Sequence, residues 1–359
     1  MILDIVQTII NYGKLKNQIK CSQINRHMYD NLYIYYIIAE KNIDQQKIEK
    51  RIFGRLKFLD CTFNTKIKNV NHLKNTLLVL DCSLNSGINQ NGISELKFIE
   101  HLNYKYNSKI NNVNHLKNTL KTLYCGYSET NQNGISELKF IEHLDCSNNR
   151  NIKNVNHLKD TLKILKCGGE ECGIDQNGIS ELKYIEILEC GFNRSINNVD
   201  HLKNTLKILN CCGECGINQN GISKLKFIEH LDCSYNSNIN NVNHLKNTLK
   251  ILNCFGGCGI DQNGISRLEH IEELDCHNNS KIYDVNHFKD TLKILNCSKN
   301  YGENCGIDQH GISQLKFLKE LNCKFNEKIN NVNHLKNILK VLDCSVGCGI
   351  NQDVISKLM

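Results

Sequence analysis

One pattern recurs through most of the 359-residue chain and limits what the chain can fold into. A tetrapeptide of the form (Asn/Asp)-His-x-Lys occurs seven times, at intervals of 42 to 47 residues. Its histidines are His72, His115, His157, His201, His244, His287 and His334. Each interval contains two segments related to Leu-x-Cys, so the basic repeat is half as long. A repeat of this size cannot cover its own apolar residues and has to stack against the repeats before and after it.

The Leu-x-Cys segments place a cysteine, or once a tyrosine, at one position of fourteen successive repeats. These residues are Cys61, Cys82, Tyr104, Cys125, Cys146, Cys167, Cys190, Cys211, Cys233, Cys254, Cys276, Cys297, Cys323 and Cys344. Their intervals are 21 to 23 residues, apart from one of 26 residues. The segment Leu56-x-x-Leu59-x-Cys61-x-x-Asn64-x-x-Ile67 matches the leucine-rich-repeat pattern, with cysteine in the third leucine position. The sequence therefore predicts an α/β leucine-rich-repeat solenoid over residues 51–359, with a curved parallel sheet and about fourteen coils.

The remaining parts of each coil also show a periodic pattern. Segments such as GISELKFI and VNHLKNTL place apolar residues three and four apart, which predicts short helices on the convex side of the solenoid. Residues 1–50 do not carry the repeat and are predicted to form a separate helical head. Within that head, residues 33–50 are predicted to be a connecting helix that docks on the array.

Twenty cysteines and fourteen histidines raise the questions of metal binding and of disulfide bonds. Strands of a parallel sheet lie about 4.8 Å apart, so histidines in every second coil are roughly 10 Å apart, too far to share one zinc ion. In-register cysteines would hold their Cβ atoms about 4.8 Å apart, wider than the usual separation in a disulfide. We predict that the cysteines pack as small core hydrophobes and that the histidines bond backbone in the turns, with no metal and no cofactor.

No catalytic template is present. The sequence lacks G-x-S-x-G, the phosphate-binding G-x-x-x-x-G-K-[ST] loop and the H-E-x-x-H zinc motif. Coils that repeat one another also leave no place for a unique acid–base pair. We predict that the chain is not an enzyme.

Charge and hydropathy bear on whether the protein binds nucleic acid, is secreted or spans a membrane. The net charge of +7 comes from 44 basic and 37 acidic residues, a balance that does not by itself predict nucleic-acid binding. The start of the chain lacks the features of a signal peptide, and no apolar run is long enough to span a membrane. We therefore expect a cytoplasmic protein with reduced thiols. A row of lysines is predicted to form a solvated convex face: Lys74, Lys117, Lys159, Lys203, Lys246, Lys289 and Lys336.

The concave side of the predicted sheet carries the most informative row. The residue between leucine and cysteine points outward because side chains alternate along a strand. Seven of the fourteen residues in this row are acidic and one is basic. The candidate target-binding residues are Asp60, Asp81, Asp145, Glu189, Asp232, Asn253, Asp275 and Asp343. Two interpretations stay open: a hydrogen-bonded Asp/Asn ladder that stabilises the sheet, and a groove for a basic or mixed-character protein segment.

The first 32 residues resemble an F-box, the short helical motif that attaches substrate adaptors to cullin-type ubiquitin ligases. The matching residues are Leu3, Ile5, Val6, Ile9, Ile10, Leu15, Ile19, Cys21, Asn25, Arg26, Met28, Tyr29 and Leu32. The chain departs from the motif because the usual Leu-Pro is absent and the aromatic residue of the third helix is weakened to Met28-Tyr29. A plain helical cap for the first coil is the competing interpretation.

An F-box-like head followed by Asn-, Ile- and Lys-rich repeats with LDCS, NVNHLKNTL and CGI(N/D)Q resembles the F-box/leucine-rich-repeat proteins of giant DNA viruses of amoebae (mimivirus-like). This resemblance implies that the head binds a Skp-type linker protein, and through it a cullin, while the concave face holds the target. The implied linker-binding residues are Ile5, Val6, Ile9, Leu15, Ile19 and Met28. The alternative is a stand-alone binding or inhibitor module with no link to ubiquitin ligases.

Overall fold

The structure is a computed structural model that describes residues 30–300, 304–344 and 347–351. These ranges contain fifteen strands of three residues each: β1 (Tyr36–Ile38), β2 (Phe58–Asp60), β3 (Val79–Asp81), β4 (His101–Asn103), β5 (Thr122–Tyr124), β6 (His143–Asp145), β7 (Ile164–Lys166), β8 (Ile187–Glu189), β9 (Ile208–Asn210), β10 (His230–Asp232), β11 (Ile251–Asn253), β12 (Glu273–Asp275), β13 (Ile294–Asn296), β14 (Glu320–Asn322) and β15 (Val341–Asp343). The central residue of each strand, such as Leu59 in β2, points inward, and its two neighbours point outward. The predicted leucine-rich-repeat fold is confirmed.

The chain forms two compact units. The first contains described residues 30–167 and 171–181 with strands β1–β7, and the second contains residues 168–170 and the described residues from 182 onward with strands β8–β15. Within each unit, consecutive strands pair in parallel and in register. In the first unit Leu80 lies between Leu59 and Leu102, and in the second Leu231 lies between Leu209 and Leu252.

Each coil buries the same small set of side chains. In the coil that starts with β10, these are Leu231, Cys233, Ile239, Val242 and Leu245, each no more than 1% exposed. Because the strands stack in register, each of these positions continues into the coils on either side. Full burial of a leucine or isoleucine contributes about 1.5–3 kcal/mol, so the stacked rows supply the main stabilisation.

Short helical segments return the chain after each strand. The one-turn α-helices are Gln45–Ile48, Gln90–Ile93, Gln176–Ile179, Gln219–Ile222, Gln262–Ile265 and Gln309–Ile312. The 3₁₀ turns are Arg51–Phe53, Asn71–Leu73, Asn114–Leu116, Gln132–Gly134, Asn156–Leu158, Asp200–Leu202, Asn243–Leu245, Asn286–Phe288 and Asn333–Leu335.

These helices are shorter than predicted, and those in the GISELKFI segments begin earlier. The side chain of Asp261 caps the turn Gln262–Ile265 by accepting a hydrogen bond from the Gly264 amide at 2.9 Å. After this turn, Leu268 and Ile271 are buried three residues apart on a non-helical segment. The apolar spacing therefore reflects one coil of the solenoid and not a longer helix.

The region 33–50 differs from its prediction. We predicted a connecting helix, whereas residues Tyr36–Ile38 form β1 and pair with β2, so a coil precedes the predicted start of the array at residue 51. The reason is strand alternation: Tyr36 and Ile38 are 56% and 69% exposed, while Ile37 between them is buried. The following Ile-Asp-Gln-x-x-Ile (residues 43–48) repeats the Ile-(Asn/Asp)-Gln-Asn-Gly-Ile of later coils without its glycine. The described array thus has fifteen strands, one more than predicted.

Two kinds of coil alternate after β1. The coils that start with even-numbered strands place an asparagine at a buried turn position: Asn64, Asn107, Asn149, Asn193, Asn236, Asn279 and Asn326. The coils that start with odd-numbered strands place Ser86, Ser128, Cys172, Cys215, Cys258, Cys305 or Cys348 in their turn. We call the two kinds asparagine coils and cysteine coils, since cysteine occupies the position in all but the first two of the second kind.

Candidate interaction surface along the strands

All eight candidate target-binding residues occupy the third position of a strand, on the outward side. We call the fourteen residues at this position of β2–β15 the acidic row. Most members are half-buried, and Asp145 is buried. Register places members of successive strands side by side, as in Asp60 beside Asp81 and Asp232 beside Asn253. The structure thus brings the predicted residues together as a row within each unit.

The carboxylates of this row shape the turn that follows each strand. One carboxylate oxygen accepts a hydrogen bond from the amide two residues later, at 2.9 Å in Asp60, 3.0 Å in Asp81 and 3.1 Å in Asp232. The side-chain oxygen of Asn103 makes the same bond at 3.1 Å. An aspartate or asparagine is favoured at this position because its short side chain can close such a turn.

The second carboxylate oxygen often has a partner on a neighbouring strand. Amide groups donate to it from Asn103 to Asp81 at 2.7 Å and from Asn296 to Asp275 at 3.2 Å. Lys105 reaches across the intervening coil to pair with Asp145 at 3.1 Å. The hydrogen-bonded ladder considered from the sequence is therefore present, and any ligand of this row has to compete with these bonds.

An exposed row of aromatic side chains at the ends of the strands was missed in the sequence. Its members lie two residues after the cysteine that directly follows each strand, here called the strand cysteine, or after Tyr104. They are 42–57% exposed: Phe63, Tyr106, Tyr127, Phe192 and Tyr235. We call them the edge aromatics. Each has a positive φ of 54–61°, a backbone conformation that bulky residues rarely adopt. The recurrence of Phe or Tyr two residues after Cys61, Cys190 and Cys233 was the available signal.

The edge aromatics contact the next coil in more than one way. The rings of Tyr106 and Tyr127 stack with their centres 4.3 Å apart. The ring of Tyr235 lies over Gly256, where a Cβ atom would be 2.3 Å from the ring. Glycine in the next coil makes room for this ring, as Gly213 does for the ring of Phe192, and both rings remain about half exposed.

The return side is the side of each coil that carries the short helices. In the first unit, its lysines are largely engaged in ion pairs. Lys74 pairs with Glu95 at 2.6 Å and Lys159 with Glu181 at 2.9 Å. The hydrogen bond from Lys74 lowers the pKa of the exposed Glu95 carboxyl below its usual value. These partners offset the basic stripe, which fits the solvated face predicted for it.

The recurrent histidines brace adjacent coils. The Nε2 atom of His115 lies 3.0 Å from the carbonyl oxygen of Ile93, and that of His244 lies 3.1 Å from the carbonyl of Ile222. Burial lowers the pKa of both rings below the ordinary value, so the neutral ring donates to the carbonyl. The prediction that the histidines bond backbone is confirmed, with the refinement that the carbonyl belongs to the preceding coil.

The cysteines of the strands are core residues, as predicted. Burial raises the pKa of the Cys61 thiol to about 12 and places that of Cys211 well above its usual range. Among residues 30–300, 304–344 and 347–351, no group of three or more His, Cys, Asp or Glu side chains is arranged to hold a metal ion. In the same ranges, no helix is long and apolar enough to cross a bilayer.

The predicted linker-binding residues Ile5, Val6, Ile9, Leu15, Ile19 and Met28 lie outside the described residues. Leu32, the last residue of the F-box-like pattern, is described and is fully buried. Its carbonyl accepts a hydrogen bond from Arg51 at 3.3 Å. Leu32 is therefore part of the packing of the first coil.

In-register strands, a shared core set and alternating turns define a leucine-rich-repeat fold, whose stacked coils present an extended surface. No protein-family model matches the chain, and no curated protein matches its sequence. The solved structures that share the fold include two from Listeria monocytogenes. The functional domain of InlJ from Listeria monocytogenes, which includes a cysteine ladder, is 19% identical over 79% of this chain and 66% of that structure, with a TM-score of 0.52. This chain thus spans about two-thirds of the InlJ structure. The internalin InlF from Listeria monocytogenes strain 4b F2365 is 17% identical over 96% of this chain and 94% of that structure, with a TM-score of 0.56.

Proposed function

We propose that this protein is a non-enzymatic interaction adaptor whose outward strand surface binds a basic or mixed-character segment of a target protein. The observation that carries the proposal is the parallel course of the acidic row and the edge aromatics along the array. Exposed aromatic rings supply apolar contact at low entropic cost, and carboxylates beside them favour lysine or arginine. The residues proposed to contact the target are Asp60, Asp81, Asp145, Glu189, Asp232, Asn253, Asp275 and Asp343.

The hydrogen bonds and ion pairs within the acidic row indicate which of its carboxylates can contact a target. Asp145 is buried and paired with Lys105, so it contributes mainly to the surface shape. Asp232 is half-buried and accepts from the neutral Asn210 amide at 3.2 Å, a contact that does not cancel its negative charge. Asp275 is also half-buried and accepts from the Asn296 amide at 3.2 Å, and its other oxygen lies 2.6 Å from Nδ1 of His277. These two aspartates are the best candidates for contact with a basic side chain.

The chain itself supplies the substitution that tests this proposal. Asparagine already occupies the row at Asn103 and closes the same turn, so Asp232→Asn and Asp275→Asn remove charge while keeping the fold. Against arrays of Lys- and Arg-rich peptides, the double variant is expected to bind about 5- to 10-fold more weakly, as two exposed charge pairs would give. The matched control is Asp290→Asn, an exposed acid on the return side. Unchanged affinity of the double variant for basic peptides would exclude the acidic row as the binding site.

We further propose that the F-box-like head links the chain to a Skp-type protein and through it to a cullin. The support is the resemblance of residues 1–32, together with the repeats, to the F-box/leucine-rich-repeat proteins of giant viruses. In this proposal Ile5, Val6, Ile9, Leu15, Ile19 and Met28 contact the linker, and the adaptor works in the cytoplasm, that of the host if the protein is viral. The proposed adaptor has no nucleic-acid or membrane partner.

Point variants in the full chain test the linker proposal without disturbing the first coil. Ile9→Asp and Met28→Asp are expected to abolish co-purification with a Skp-type protein, while circular dichroism and thermal unfolding of the array stay unchanged. A deletion beyond residue 29 is a poor test because Leu32 and Ile34 are buried in the described array. If the intact chain never retains a Skp-type protein but still binds basic peptides, the stand-alone binding module is the correct function.

A further inference from the structure

Pairs of cysteines meet between successive coils of the array. The Sγ atoms of Cys233 and Cys258 are 3.7 Å apart, and those of Cys190 and Cys215 are 3.9 Å apart, within the second unit. In the first unit, the Cys172 thiol donates to the Cys146 carbonyl oxygen at 3.8 Å. Each pair joins the strand cysteine of an asparagine coil to the turn cysteine of the next cysteine coil.

We propose that Cys233–Cys258 and Cys190–Cys215 are disulfide-forming sites that a small peroxide oxidant converts into covalent links between coils. The Cys258 thiolate attacks hydrogen peroxide, forming a sulfenic acid and releasing hydroxide, which takes up a proton to become water. The Cys233 sulfur then attacks the sulfenic sulfur, an S–S bond forms and a second water leaves. The sum is two thiols and one peroxide giving one disulfide and two waters.

Geometry favours these pairs over other cysteines. A disulfide requires the sulfurs to approach to about 2.05 Å, so the pair has to close by less than 2 Å. The turn around Cys258 has room for this movement, because Gly257 has no atom within 4 Å of the place where a Cβ would be. Cys233 cannot move in this way, because its backbone amide is held by a hydrogen bond to the Asn253 carbonyl at 2.9 Å.

The order of attack follows from the hydrogen bond within the pair. The thiol of Cys233 bonds Cys258, which lowers the pKa of Cys258 and raises the pKa of Cys233. The Lys281 ammonium group, which donates to the Cys258 carbonyl at 3.3 Å, adds favourable positive charge. Cys258 is therefore the thiol that ionises first, and only a small oxidant fits because both sulfurs are buried.

The first two asparagine coils after β1 provide an internal reference. Ser86 occupies the turn position opposite Cys61 with the Oγ and Sγ atoms 3.7 Å apart. Ser128 occupies the same position in the coil after Tyr104, three residues before the helix-capping Asn131, as Ser86 is before Asn89. These two positions have no second thiol, so oxidation would link later coils and leave these first coils unlinked.

The test is to treat the full reduced chain with hydrogen peroxide, alkylate the remaining thiols and map tryptic peptides by mass spectrometry. Trypsin separates Cys233 (peptide 227–246) from Cys258 (peptide 251–267), and Cys190 (184–194) from Cys215 (208–224). The expected result is a cross-link within each of these peptide pairs, with loss of two hydrogens per link. Oxidised protein is also expected to unfold at a higher temperature than reduced protein.

A matched variant separates the proposal from unspecific oxidation. Cys258→Ser, which copies Ser86, is expected to remove only the 227–246/251–267 link and to keep the Cys190–Cys215 link. A bridge inside peptide 251–267, joining Cys254 to Cys258, would overturn the proposal. So would conversion of Cys258 to sulfinic or sulfonic acid without a cross-link, or recovery of unmodified thiols throughout.

Discussion

Asparagine coils and cysteine coils have the same strand and nearly the same length, yet they attach to their predecessors differently. In an asparagine coil, the side-chain amide of Asn236 donates to two carbonyls of the preceding coil, those of Cys211 and Ile217, at 3.0 Å each. The side-chain oxygen of Asn236 accepts a hydrogen bond from the backbone amide of Asn238 at 3.0 Å. In a cysteine coil, the equivalent contact is the weak thiol bond between Cys258 and Cys233. Successive joints are therefore strong and weak in turn.

This difference explains why the sequence repeats every 43 residues or so and not every 22. The strand, the core leucines and the turn entry are common to both kinds of coil. The buried turn residue, the kind of return helix and the bracing histidine differ, because each kind of joint needs its own partners on the preceding coil. A pair of coils is thus the unit that repeats in energetic terms as well as in sequence.

The largest expected effect is at the strong joint. Asn236→Ala removes three hydrogen bonds and leaves two buried carbonyls without a donor, which should lower the free energy of unfolding by about 3 kcal/mol. Urea unfolding followed by circular dichroism measures this change. Asn238→Ala, at an exposed position of the same turn, serves as the control. Equal stability of the two variants would show that the buried amide is not what holds the joint.

A smaller effect is expected at Gly256, the glycine of a cysteine coil on which the Tyr235 ring of the preceding asparagine coil rests. Gly256→Ala puts a side chain on a backbone with φ of +64° and against the Tyr235 ring, which should cost about 1–2 kcal/mol. Gly257→Ala meets open space and should be nearly neutral, and urea unfolding followed by circular dichroism compares the two variants. A neutral Gly256→Ala would mean that the ring of Tyr235 does not rest on this glycine in solution.

The weak joint should respond less. Under reducing conditions, Cys258→Ser is expected to cost less than about 1 kcal/mol, since a hydroxyl replaces a weak thiol bond and Ser86 already fills this place in the array. Urea unfolding in excess reductant gives the value. A loss as large as that of Asn236→Ala would remove the distinction between the two joints.

The smallest effect is the contribution of a single histidine to the pH dependence of stability. Burial lowers the pKa of His244 in the folded protein, so the folded state binds fewer protons than the unfolded state. The stabilisation from this group is fully present above the histidine pKa of the unfolded chain, near 6.5, and is lost as the pH falls below that pKa. Urea midpoints between pH 7.5 and 5.5 should fall, and the slope should be slightly smaller in His244→Gln. A slope unchanged in variants of both His115 and His244 would contradict the assignment.

The sequence was sufficient to predict much of the fold because the repeat carries its own register. Spacing identified the strand leucines, the core cysteines and the outward acidic row, and the histidines were correctly assigned to backbone bonds. The first coil escaped prediction because it has Ala39 in place of the strand cysteine and lacks the glycine of later turns. The edge aromatics escaped because their placement depends on the next coil: the rings of Phe192 and Tyr235 lie over Gly213 and Gly256, while Tyr106 stacks on Tyr127.

By itself, the sequence determined which residues of each coil are buried and which face outward, since a three-residue strand with alternating side chains leaves no other arrangement. Only the tertiary structure decided which side chains meet between coils. Cys254 and Cys258 are close in sequence, yet Cys258 pairs with Cys233 of the preceding coil. Likewise, Asn236 bonds backbone 19 and 25 residues earlier. Stacking brings these groups together because neighbours along the array are one full coil apart in the chain.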